Sequence, residues 1–389
     1  MADFRASSLN RRNFLKHLSA GAAAAAVMPA ALAGDGKTGT GGQRFPLLLS
    51  DSPSIIEARE SALEILKPSS AELQRGLELH YGSLVFDTYG FAPRAAADGA
   101  ALTAAIEAGA LHHELQDMRE EMSMTRAAFV AAERAELKHA FDAAGVTCIF
   151  QNAGEEGQDP QTLIKRLARF TYLTDMARDT LMRATLPADI EAAKAAGKHC
   201  LYLTGNGVPL AQEWVNTTEE LGYIRIFFQL GIRMMHLTYN RRNMLADGCA
   251  ETANGGISDL GRAAIAEMTR VPGIVDVAHT VWRGSLEAAQ ASTQPMVASH
   301  TTCTELQNHI RSKPDEVIRA ICDTGGMVGI CCIPNFLGRT ADIAALIDHV
   351  DYVAKKFGVE HVGIGTDVAY TSRLASEPGP GIGRSGGAG

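Results

Sequence analysis

Short runs of apolar, mostly β-branched residues recur along this chain at intervals long enough to hold a helix between them. Eight such runs read as strands: Leu84–Tyr89, Val146–Gln151, Cys200–Thr204, Met234–Tyr239, Ile274–His279, Met296–His300, Met327–Ile333 and His361–Val368. Between most of them the apolar positions take the three-to-four spacing of amphipathic helices, as in Gln161–Ala177, Ser258–Thr269, Pro314–Cys322 and Ala341–Phe357. Eight strands alternating with helices point to an α/β fold, a (β/α)8 TIM-type barrel rather than an open doubly wound sheet. No glycine-rich dinucleotide fingerprint follows any of the strands.

Three stretches depart from the alternation. Ile55 to Leu79 reads as one or two amphipathic helices interrupted near Pro68-Ser69-Ser70. The first β–α connection is a long rim insertion over about residues 91–145, with a charged helical segment at Glu114–Leu137. After the eighth strand only Ala369 to Gly389 remain, rich in Gly and Pro, so a final closing helix is not expected.

Composition narrows the class. The 389 residues are 46% hydrophobic and 21% charged, with a formal net charge of −8, which suits one large barrel or two ordinary domains. No basic stripe is present to neutralise phosphates, so a nucleic-acid partner is not expected. The seven cysteines are scattered without CxxC or zinc-finger spacing and read as buried apolar residues. At the N-terminus, Asn10-Arg11-Arg12-Asn13-Phe14-Leu15-Lys16 precedes an alanine-rich apolar segment and Ala31-Leu32-Ala33. That pattern resembles a twin-arginine export signal over residues 1–33. Residues 34–50 then form a flexible linker before a barrel domain over 51–389, and the expected location is periplasmic. No segment reads as a stable membrane span.

In a barrel of this type the chemistry sits at the C-terminal ends of the strands. Those ends present Asp87/Tyr89, Asn152, Gly205-Asn206, Tyr239-Asn240, His279, His300, Asn335 and Asp367. His279 and His300 each close a β-branched run, and with Asp367 they form a set able to hold one divalent cation beside water.

Several segments resemble the membrane (renal) dipeptidase family. They are Ile274-Val275-Asp276-Val277-Ala278-His279, Val297-Ala298-Ser299-His300, His309-Ile310-Arg311-Ser312, Gly325-Gly326-Met327-Val328-Gly329-Ile330 and Gly363-Ile364-Gly365-Thr366-Asp367. Leu230-Gly231-Ile232-Arg233, with Leu237-Thr238-Tyr239-Asn240 behind it, is similar to another family segment. The resemblance runs from about Leu84 to Asp367. It implies a barrel hydrolase of dipeptides built on two zinc ions. His279 and His300 then match ligands of the second metal, Arg311 the residue that pairs with the dipeptide carboxylate, and Asp367 a carboxylate near the attacking water.

The departures from the family pattern are as specific. Tyr89-Gly90-Phe91 stands where the resemblance implies His-x-Asp, and Leu203-Thr204-Gly205-Asn206-Gly207 offers no bridging glutamate. Tyr239 replaces a histidine that would steady the reacting carbonyl, though its phenol remains a donor. The expectation is therefore one metal site at most, zinc first among candidates, on His279 and His300. Asp367 and Tyr239 would be catalytic, Arg311 would bind a small peptide or amino-acid-like substrate, and a homodimer stays open. The competing expectation is a barrel without metal catalysis that binds a carboxylated ligand, or one that matures a single exported metabolite. Asp87, His199, Cys303, His112-His113, Cys331-Cys332 and Glu120-Glu121 rank below these as structural or surface groups.

Overall fold

The computed structural model describes residues 45–154, 159–210, 212 and 216–374. The expected signal and most of the expected linker, as well as the Gly/Pro-rich tail, lie outside the described residues. Within the linker span, Pro46–Leu49 form a short helix, and Phe45 stacks on Tyr81 with ring centroids 5.4 Å apart.

Eleven strands form one curled parallel sheet: β1 (Phe86–Arg94), β2 (Cys148–Asn152), β3 (Leu181–Ala184), β4 (His199–Gly205), β5 (Met234–His236), β6 (Ile274–Asp276), β7 (Val297–Cys303), β8 (Ser312–Lys313), β9 (Met327–Ile330), β10 (Val362–Ile364) and β11 (Ala369–Thr371). Its order is β10-β9-β7-β6-β5-β4-β2-β1-β11, with β3 paired to β4 and β8 to β7. The eight expected strands are β1, β2, β4, β5, β6, β7, β9 and β10, and they follow one another around the curl as a TIM-type barrel requires. The three additional strands are short and hang on the outside of this series.

The ladder does not run from β10 onto β1, but that seam is stitched. Asp367 N donates to the Tyr89 carbonyl at 3.0 Å. The Asp87 carboxylate accepts from Thr366 N at 2.9 Å and from Thr366 Oγ1 at 2.5 Å. Thr88 Oγ1 reaches across to the Ser299 carbonyl at 2.8 Å. Gly329 and Gly365 flank that same carbonyl, and a Cβ on either would run into it. Only glycine lets the three strands approach so closely.

Strand alternation sorts the core into two layers. Ile149, Leu201, Leu203, Met235, Val275 and Val328 face outward against the helices. Cys148, Phe150, Cys200, Tyr202, Met234 and Ile274 face inward, with Tyr89 closing the top. The helices follow the expected spans closely: Pro160–Met176, Asp259–Arg270, Asp315–Asp323 and Ile343–Phe357. The Ile55–Leu79 stretch is two helices, Pro53–Leu66 and Ser70–Gly82, the second opened by a Ser69–Glu72 capping box. The rim segment is likewise split, into His112–Thr125 and Ala131–Ala144, where Arg126–Ala128 tighten into a 3-10 turn.

Candidate functional site

His279 and His300 meet. Their Nε2 atoms lie 2.9 Å apart and their rings cross at 63°. His279 sits just past the end of β6, whereas His300 lies inside β7, which continues to Cys303 because β8 pairs with Thr302 and Cys303. A register shift between Ala298 and Thr301 aims the histidine into the barrel mouth. Burial, with the positive charge of Arg311 next, holds both imidazoles well below their ordinary pKa, so both are neutral. The Asn240 Oδ1 lies 2.8 Å from His279 Nδ1 and also accepts from Cys249 Sγ. That oxygen fixes the proton on Nδ1 and turns the Nε2 lone pair toward His300.

One layer deeper lies a group that the strand ends did not reveal. His236 ends β5 and is the register partner of Asp276 on β6, and both are fully buried. Asp276 Oδ2 stands 2.6 Å from His236 Nε2, while its Oδ1 accepts from Ala278 N at 2.9 Å and Ser299 N at 3.1 Å. Burial pushes the Asp276 carboxyl up, but His236 and these donors outweigh it and hold the group below its usual range. His236 Nδ1 bonds to Asn206 Oδ1, and Ser299 Oγ links to His300 Nδ1 at 2.8 Å. The inward parity of Met234 and Ile274 is the sequence signal that would have found His236 and Asp276, two residues on from each.

Where the family pattern calls for the first metal's ligands, aromatic rings fill the space. Tyr89 stacks on His300 at 3.9 Å and tilts against His236 at 5.1 Å; Phe91 lies 6.0 Å from Tyr89. Asp87 is committed to the β1–β10 seam, and burial raises its pKa to about 6. Asn206 occupies the stretch that lacks the bridging glutamate. Among the described residues, one cluster of three groups, His236, Asp276 and His300, could hold a metal ion.

Arg311 and Lys313 bring positive charge to the same mouth. Arg311 is buried; its Nη2 donates to the His300 carbonyl at 3.1 Å, and its Nε has no partner. Its guanidinium lies over Phe336, 5.2 Å from the ring centroid. Lys313 donates to the Thr280 carbonyl and to Ser285 Oγ at 3.1 Å, and burial lowers its pKa to about 7. Asp367 adopts a left-handed backbone (φ 56°), and burial raises its carboxyl while Arg311 and His236 oppose the rise. Tyr239 stacks on His279 at 4.4 Å.

The lower-ranked residues have other partners. His199 bonds to the Val146 carbonyl and Asp142 at the base of the barrel. Glu120 and Glu121 pair with Arg166 and Arg169 on the rim. Cys303 and Cys331 are buried thiols raised to about 12 by desolvation, His112 and His113 are exposed, and Cys332 is half-buried.

The membrane dipeptidase (Peptidase family M19) profile matches residues 83–375. Dipeptidase aclJ of Aspergillus oryzae is 34% identical over 150 residues, which are 37% of this chain and 36% of that protein. Dipeptidase tcpJ of Claviceps purpurea is 31% identical over 149 residues, 37% of this chain and 35% of that one. The chain thus aligns with little more than a third of either relative. Among solved structures, an amidohydrolase from Pseudomonas aeruginosa is 26% identical with a TM-score of 0.57, covering 77% of this chain and 78% of its own. A metallo peptidase from Rhodobacter sphaeroides, liganded with a phosphinate mimic of L-Ala-D-Ala, shares the fold at 17% identity and a TM-score of 0.54, covering 73% and 85%. With three quarters of its length matched by one profile and its motifs in order around the barrel mouth, this chain belongs to the membrane dipeptidase family.

Proposed function

We propose that this protein hydrolyses a small amide bearing a free carboxylate, of the dipeptide class, with one divalent cation held by His279 and His300. The observation that carries the reading is Arg311: a buried guanidinium with an unpaired Nε beside two neutral, converging imidazoles. An unsatisfied buried donor of this kind calls for an anionic partner, and a planar fork suits a carboxylate. A cation bound there, zinc being the family's usual choice, supplies Lewis acidity toward the amide carbonyl and lowers the pKa of water.

The chain's own groups do the rest. Arg311 clamps the substrate carboxylate and so fixes where the scissile carbonyl falls. Asp367, its pKa raised by burial, accepts a proton from water and passes it to the leaving amine. The Tyr239 phenol donates to the carbonyl oxygen as negative charge develops on it. Asn240 keeps the His279 ring oriented. The N-terminal Arg11-Arg12 pair and the apolar segment after it support an exported, periplasmic protein.

The test is hydrolysis of a dipeptide panel, including D-Ala at the second position, against the same dipeptides with amidated C-termini. Turnover of the free acids that disappears with a chelator and with Arg311→Met is the expected result. Binding of dipeptides without turnover at any metal supplement would overturn hydrolysis. It would favour the second reading, a carboxylate-binding or altered-chemistry barrel, which the rings of Tyr89 and Phe91 in the first metal's place support.

A further inference from the structure

We propose that the cation site is completed from below by His236 and Asp276, so that His236, Asp276 and His300 are its ligands and His279 adjoins them through His300. This rests on the single-cation reading above and sets His236 and Asp276, to which the resemblance assigns no metal role, in the place of His279. The ligand atoms of His236, Asp276 and His300 all lie within 4.8 Å of one another, and all three residues are buried.

The first support is an orphaned atom. Asp276 Oδ2 is fully buried, and besides the 2.6 Å approach of His236 Nε2 no donor reaches it among the described residues. The bond from His236 Nδ1 to the Asn206 carbonyl oxygen places a proton on Nδ1 and leaves the Nε2 lone pair facing the carboxylate. Two electron-rich atoms this close, in a medium of low dielectric, repel unless positive charge lies between them. A metal ion satisfies both atoms at once.

The second support is the arrangement of the rings. The ring centroids of His236 and His300, the two imidazoles of the set, lie 5.3 Å apart. Imidazoles bound to one tetrahedral ion at a metal–nitrogen distance of 2.0–2.1 Å have centroids roughly 5.3 Å apart.

The third is the second shell. Asn206 orients His236, Ser299 Oγ orients His300, and two backbone N–H groups pin Asp276 Oδ1, so each ligand has its outer partner. In this arrangement the family's lost carboxylate ligands are replaced by Asp276, and its lost histidine by His236 from one layer down. The charge balance also fits, because one carboxylate among neutral imidazoles leaves a divalent ion net positive and able to draw a substrate oxygen.

The test is Co2+ and Zn2+ titration of the full chain, read by the cobalt d–d absorption and by calorimetry, with far-UV circular dichroism of each metal-free variant as the folding control. Wild type should bind one ion, and His236→Gln and Asp276→Asn should each weaken it at least about a hundredfold. His236→Cys, which keeps a zinc ligand, should recover most of the Zn2+ affinity, a rescue that a merely structural histidine would not give. If both variants fold and bind the ion like wild type while His279→Gln and His300→Gln lose it, the added ligands are refuted and the single-cation reading stands. If wild type binds neither ion, both fall together.

Discussion

Lys313 offers a quantitative test of how the barrel mouth is organised. Its ammonium is buried between β8 and the helix Trp282–Ala291, with no carboxylate in hydrogen-bond contact, and its pKa falls from 10.5 to about 7. At 1.36 kcal/mol per pH unit, that interval corresponds to about 5 kcal/mol of folding free energy forgone at acidic pH. Between pH 7 and 10 the unfolded chain holds a proton that the folded chain has released, so stability rises with pH across this window. The buried cysteines oppose this above pH 9, because thiols raised to about 12 in the fold ionise earlier once unfolded. Lys313→Met isolates the lysine. The substitution orphans nothing, since the Thr280 and Val281 carbonyls still accept from Ser285 Oγ at 3.1 and 2.9 Å. The variant should therefore be more stable than wild type at pH 7, and its advantage should shrink by about 2 kcal/mol by pH 9. Urea unfolding under reducing conditions at half-unit steps gives both curves. Parallel curves would show that Lys313 stays charged in the fold and that the argument from burial is wrong.

Four further outcomes follow from the geometry. Arg311→Lys should raise KM for free-acid dipeptides about tenfold or more while changing KM for C-terminal amides little, because an ammonium cannot reproduce the paired fork; equal effects on both would remove the carboxylate role. Asp367→Asn should abolish turnover yet leave the melting temperature at pH 7 unchanged or higher, since burial disfavours the charged form and asparagine tolerates the left-handed backbone. Asp367→Ala should melt lower than Asp367→Asn, reflecting about 1 kcal/mol of backbone strain. Gly365→Ala should destabilise the fold by more than about 2 kcal/mol in chemical denaturation, because its methyl meets the Ser299 carbonyl, and a neutral result would contradict the close approach of β7 and β10.

Much of this architecture was legible because periodicity reports burial directly. The eight barrel strands stood out as β-branched runs; His279 and His300 became candidates because a barrel concentrates chemistry at one rim, and Arg311 through the family resemblance alone. What stayed hidden depends on long-range pairing. β8 is two residues long and exists only as an extension of β7, while β3 carries the polar Arg183 and is held by β4. β11 lies in a stretch with no apolar run and pairs with β1. The rim helices looked continuous because the Arg126–Ala128 turn has no Pro or Gly to mark it. His236 and Asp276 were passed over because the expected strands ran on to Tyr239 and His279, beyond the ends of β5 and β6 where the two become register neighbours.

Tyr89 also constrains the history open to this protein. Its ring fills the space between His300 and His236, so a reversion to histidine alone would leave a void beside two imidazoles and no acid at position 91 to use it. A histidine at 89 and an acid at 91 would therefore have to arrive together, because the first change alone lowers stability before the second gives it a use.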